Sequence, residues 1–220
     1  MTPSLSKHFG APAPALPATG REGVALARPY PRDGRLIGRI GTRLAGAASI
    51  TAAVLSIIMG VTQALFPQDE DPAIDPRTRV LLALFTVVLW GLAVVYLGLA
   101  RYARSSWGAT VAAAGAVLLT VGTITSAVNG IDLEFFPIVA MVANGAWLVG
   151  VIALTVSLVR AKQVSLWIAV PLVLLQVCLI FLSQSGGGVP AGLFLLVIGV
   201  LFLRDRIDSR ARARVRRGRP

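Results

Sequence analysis

The chain is poor in the side chains that most soluble enzymes depend on. It has one cysteine, Cys178, and one histidine, His8. Haem, zinc and iron–sulfur centres need clustered His or Cys ligands, so no metal or redox cofactor is expected, and a lone cysteine excludes an intrachain disulfide. Charge is scarce too: 14% of the 220 residues are charged and 55% are apolar, with a mean hydropathy of +0.76. A soluble domain carries roughly a quarter charged residues. The composition is that of an integral membrane protein.

What charge there is lies in tails and short connections, leaving long uncharged runs between them. A bilayer core about 30 Å thick needs about 20 apolar residues of helix to cross it. Five runs meet that length without Asp, Glu, Lys, Arg or His: 44–66, 80–100, 107–128, 136–159 and 164–183. A sixth run, 189–203, is 15 residues long and reaches 18 when extended back through Gly186, Gly187 and Gly188. The predicted fold is an all-α, six-span transmembrane bundle over residues 39–207. Residues 1–38 are expected to form a disordered, proline-rich N-terminal tail, and residues 208–220 an Arg-rich C-terminal tail.

Orientation follows from the basic residues, which resist translocation. Of 21, all but Arg77 and Arg79 fall on one set of alternating segments: the N-terminal tail, Arg101 and Arg104, Arg160 and Lys162, and the C-terminal tail. The opposite set holds Asp69, Glu70, Asp71, Asp75, Asp132 and Glu134. Both termini are therefore expected in the cytoplasm, with the protein in the cytoplasmic membrane. The parity also argues for the short sixth span. The N-terminal tail lacks the apolar core of a secretory signal, and span 1 serves as the targeting segment.

In lipid, helices associate through close backbone approach and side-chain hydrogen bonds. Span 1 carries Ala45, Ser49, Ala52, Ser56, Gly60 and Gln63 at steps of three or four, and span 3 carries Gly108, Ala112, Ala116, Thr120, Thr123 and Ser126. These stripes are expected to be packing seams of two central helices. Span 2, rich in Leu, Val and Phe, reads as more peripheral. Trp107 and Trp167 open spans 3 and 5 beside basic loops, as interface anchors do. Trp90 and Trp147 fall mid-span, where the indole N–H needs a partner or a lipid-facing compromise.

Amide and hydroxyl groups concentrate in the outer half: Gln63, Thr123 and Ser126 toward the outer surface, Asn144 and Gln176 near the midplane. Two readings are open. These five residues line an outward-facing polar cavity, or the amides hydrogen-bond across helices at about 0.6 kcal/mol each. A ligand of such a cavity would be neutral or zwitterionic, because no intramembrane charge offsets desolvation of a net charge. The absence of intramembrane ionisable groups also disfavours ion-coupled transport and intramembrane proteolysis.

The acidic loop 69–75 reads as solvated and topogenic, since Pro67, Pro72 and Pro76 prevent a helix that would align its carboxylates. In the C-terminal tail, Arg210, Arg212, Arg214, Arg216 and Arg217 suit anionic phospholipid headgroups, each worth about 1 kcal/mol near a charged surface. Without interleaved aromatics or a folded reader, nucleic acid is not an expected partner.

The layout, with Arg-Leu-Ala-Gly at 43–46 opening span 1 and Asn-Gly-Ala-Trp at 144–147 in span 4, resembles the small uncharacterised six- or seven-helix multi-pass membrane proteins of high-GC bacteria. The heavy use of Arg over Lys is similar. That resemblance implies a helical bundle over residues 39–207 and no reaction. The expected function is non-enzymatic, as an envelope sensor or as a partner of another membrane protein or of its own copies. The alternative is a small transporter or permease-like subunit using the outward polar cavity.

Overall fold

The computed structural model describes residues 32–66, 74–103, 105–161 and 166–204. Among the described residues there are six α-helices: α1 (Arg32–Leu65), α2 (Pro76–Leu99), α3 (Trp107–Asn129), α4 (Phe136–Ala161), α5 (Leu166–Ile180) and α6 (Gly188–Leu203). Two single turns of tighter helix, Ala100–Tyr102 and Ser183–Ser185, follow α2 and α5. No strand occurs among the described residues. Residues 1–31, the acids Asp69, Glu70 and Asp71, and the C-terminal arginines Arg210, Arg212, Arg214, Arg216 and Arg217 lie outside the described residues. Helix α1 begins at Arg32, directly after the last proline of the segment read as a tail.

Four segments are long and apolar enough to cross a membrane: Gly41–Leu65, Pro76–Tyr102, Trp107–Asn129 and Phe136–Ala161. Helices α5 and α6 are equally apolar but shorter. The outward faces are apolar as well, with Val54, Ile58 and Val61 of α1, Val87 and Leu97 of α2, Val121 and Ile124 of α3, and Met141 and Val149 of α4 all exposed. Apolar surface on this scale, continuous around a bundle, fits lipid and not water.

Helix boundaries follow local chemistry. Pro76 occupies the first turn of α2, where its missing N–H costs no hydrogen bond. Asp75 caps that turn by accepting from the Thr78 amide at 2.5 Å, and this bond, more than the nearby Arg77, holds the Asp75 carboxyl below the ordinary carboxylate range. At the same end, α3 stops at Gly130, whose φ of +73° only glycine adopts readily. The Gly130 carbonyl accepts from the Ile74 amide at 3.1 Å, joining the two connections.

The helices form a ring in chain order, each packed on its neighbours, with α6 returning to α1. The tightest contacts are α1 with α6 and α3 with α4; α5 is held more thinly. Small residues set those distances. A Cβ on Gly150 would lie 2.2 Å from the Ala112 amide nitrogen, and one on Gly115 would lie 2.5 Å from that of Trp147. On the other side of the ring, Gly188 backs onto Ser56 and Gly60, and Gly192 onto Ala53 and Ile57. The small-residue stripes of α1 and α3 are thus contact faces, with Ala45, Ala52, Ala112 and Ala116 buried.

A smaller share of α2 is buried than of α1 or α3, in line with its reading as the more peripheral of the three. The helix lies between α1 and α3, with Val88, Leu89, Leu92, Val95 and Tyr96 fully buried. Its bulky side chains pack there because the facing helices are lined with alanine and glycine, so large residues fill what small ones leave. Trp147 of α4 is also fully buried, and its indole N–H donates to the Tyr96 hydroxyl at 2.9 Å. Trp90 instead faces outward, 52% exposed.

Candidate functional site

A partly open cavity of about 220 Å³ lies toward the end of the bundle where α1, α3 and α5 finish and α2, α4 and α6 begin. Ser56, Met59 and Gln63 of α1 face it from successive turns. Leu81 and Phe85 of α2, Leu119 of α3, and Phe136, Ala140 and Asn144 of α4 continue the lining. Leu179 and Ile180 of α5, Ser183 and Gly188 complete it. None of these side chains ionises.

Position along each helix explains the assembly. Ser56, Met59 and Gln63 are three and four residues apart, so they stack on one face. Phe136, Ala140 and Asn144, each four residues apart, likewise share one face of α4. The Phe136 ring rests against Gly122 of α3, where an added Cβ would overlap it. The wall toward α6 stays close to α1 because Gly186, Gly187 and Gly188 are buried in the turn that brings the chain back.

The electrostatic feature of the cavity is unmet hydrogen-bonding capacity. Ser56 is fully buried, and its hydroxyl oxygen has no hydrogen-bond partner; the same holds for Asn144 Oδ1. Buried polar atoms are paired in the great majority of cases, and leaving one unpaired costs about 1–3 kcal/mol. Ser56 and Asn144, which carry these two atoms, both line the cavity.

The five residues singled out in the sequence separate into two groups. Gln63, 8% exposed, and Asn144 line the cavity. Gln176, 4% exposed, does not line it; its amide nitrogen donates to the backbone carbonyl of Asn144 at 3.0 Å, joining α5 to α4. Its Oε1 atom is a further buried acceptor without a partner. Thr123 pairs with Thr86 at 2.7 Å, between α3 and α2. Ser126 donates to the Asp132 carboxylate, because the left-handed turn at Gly130 carries the chain back toward α3. Thr123 and Ser126 are therefore taken up by internal bonding.

Sequence reasoning placed Ser56 on a packing seam and did not associate it with the cavity. The signal was present in its position: it precedes Gln63 by two helical turns and shares its face. Met59, Phe85 and Phe136 carried no local mark, whereas Ser183 belongs to the polar groups of the outer half. The other half of the bundle is densely filled, with Leu92, Leu99, Leu154, Leu158, Leu195 and Phe202 buried around the Tyr96–Trp147 pair. Comparison of the chain with protein-family models, with curated proteins and with solved structures returned no match.

Proposed function

We propose that this is a non-enzymatic, six-span protein of the cytoplasmic membrane that binds a small neutral or zwitterionic ligand in the cavity between α1, α2, α4 and the α5–α6 turn. Its role is that of a sensor, or of a partner whose association responds to occupancy. The observation that carries the reading is the pair of buried, unpartnered polar atoms, Ser56 Oγ and Asn144 Oδ1, on two residues that line one cavity. A ligand that hydrogen-bonds them offsets the desolvation cost of leaving them unpaired. Among the described residues the lining offers no nucleophile beside a base and no charge, which favours binding over chemistry.

The six-span topology rests on the one-sided distribution of Lys and Arg, with both termini in the cytoplasm and the cavity toward the outer surface. Helices α5 and α6, with 15 and 16 residues, are about 22–24 Å long at 1.5 Å per residue. The turn residues beyond them and local thinning of the bilayer make up the difference. The tail arginines Arg210, Arg212, Arg214, Arg216 and Arg217 would then meet anionic phospholipid headgroups on the cytoplasmic face.

A permease-like role is the second reading. Its support is α5, which packs thinly on both neighbours and contains Pro171, a helix-weakening residue able to accommodate movement. Transport needs the filled half of the bundle to open; a sensor does not. Reporter fusions test the topology: a fusion after Pro220 is expected to score cytoplasmic and one inserted at Asp71 external. An external C-terminus would refute the orientation. Uptake of candidate ligands into proteoliposomes separates the two roles, and ligand binding without flux favours the sensor.

A further inference from the structure

The lining of the cavity narrows its ligand further, on the reading that the cavity is a ligand site. We propose that it takes a small, uncharged aromatic molecule carrying one hydrogen-bond donor, of the phenol or indole type. The volume sets the size. About 220 Å³ exceeds the roughly 150 Å³ of an apolar cavity known to admit benzene and falls below the range of about 300–1,000 Å³ for drug-sized ligands. One ring with a short polar substituent fits.

The walls set the character. Phe85 and Phe136 present two phenyl rings and Met59 a thioether, all lining the same space. Ring–ring and sulfur–ring contacts add to the gain from apolar burial, and an aliphatic body of equal size lacks them. The Phe136 ring is held in place by its contact with Gly122, so this wall exists before a ligand arrives.

The polar atoms set the functional group. Asn144 Oδ1 can only accept, and Ser56 Oγ can accept or donate; both are buried and unpartnered. A ligand therefore needs a donor, which Asn144 Oδ1 accepts, and an oxygen or π face beside the Ser56 hydroxyl suits the second site. A carboxylate or ammonium group would lose its hydration without gaining an ionic partner, because none of the described lining residues is charged.

The test uses the full chain in lipid nanodiscs, in a Cys178→Ser background, with single reporters from Gln63→Cys and, separately, Ser183→Cys. Both positions line the cavity, and the Ser183 hydroxyl is already bonded to the Ile180 carbonyl at 3.0 Å. The readout is the rate of modification by a small membrane-impermeant thiol reagent, titrated with phenol, anisole, cyclohexanol or glycine betaine. Phenol carries the ring and the donor, anisole caps the donor, cyclohexanol keeps the donor without the π face, and betaine is zwitterionic. Phenol is expected to protect at concentrations about 3- to 10-fold lower than anisole, the worth of one hydrogen bond, and lower than cyclohexanol. Adding Asn144→Ala should bring phenol to the level of anisole and leave anisole unchanged.

Equal protection by phenol and cyclohexanol, or by phenol and anisole, overturns the proposal and leaves the cavity reading standing. So does stronger protection by betaine than by phenol, or no protection by any of the four where both reporters are modified. Failure of both reporters to be modified in folded protein removes the accessible cavity and the proposed function with it.

Discussion

Ser49 and Ser56 lie seven residues apart on the same helix, and both are fully buried. Ser49 Oγ donates to the Leu195 carbonyl of α6 at 2.7 Å, whereas Ser56 Oγ has no partner. Replacing each by alanine deletes the same atom, so volume and helix propensity change almost equally and the two sites differ mainly in hydrogen bonding. Ser49→Ala removes an interhelical bond worth about 0.6 kcal/mol by the average for membrane helices. Ser56→Ala removes a buried hydroxyl whose desolvation is uncompensated, and stability should rise by about 1 kcal/mol, the low end of the range for an orphaned group. The pair should therefore differ by about 1.6 kcal/mol, or roughly 14-fold in the unfolding equilibrium. Helix content followed during a denaturing-detergent titration in mixed micelles measures it. Opposite signs for the two variants are expected, and a loss at Ser56→Ala as large as that at Ser49→Ala would refute the assignment of Ser56 as an unpaired group.

Gly150 and Gly145 give a second matched pair: a Cβ on Gly150 meets the α3 backbone at 2.2 Å, while Gly145 has open space around it. Gly150→Ala should cost about 1–3 kcal/mol through overpacking, and Gly145→Ala should be neutral or slightly stabilising, by the same detergent titration. In a background lacking Cys178, a membrane-impermeant thiol reagent added from outside should modify the Asn144→Cys variant and leave the Gln176→Cys variant unmodified, since only Asn144 lines the cavity; the reverse pattern would contradict the described walls. Because its bond from Thr78 depresses the Asp75 pKa, the capping contribution at the start of α2 is present above the unfolded-state carboxyl pKa and is lost as pH falls through the lower folded value. Amide exchange of the first turn of α2 should accelerate over that acidic window in the native chain and show no such step in the Asp75→Ala variant.

The long uncharged runs determine the helices, because a backbone in lipid must satisfy its own polar groups. Trp107 and Phe136 stand at the starts of α3 and α4 as the runs imply. Helix α2 starts four residues before its apolar run, since Asp75 and Pro76 supply a cap and a first turn that hydropathy alone does not register. The glycine and alanine stripes of α1 and α3 likewise mark contact faces without any knowledge of their partners. The placement of α2 between them was not legible. Lipid tails are as apolar as leucine, so a helix rich in Leu and Val looks the same whether it faces the bilayer or a neighbour. Nor does local spacing say which polar groups are left unpaired. Thr123 and Ser126 found partners in Thr86 and Asp132, Gln176 was drawn onto the Asn144 backbone, and Ser56 was left with none. Those outcomes depend on what the adjacent helix presents at the same depth, and only the closing of the ring brings those depths together.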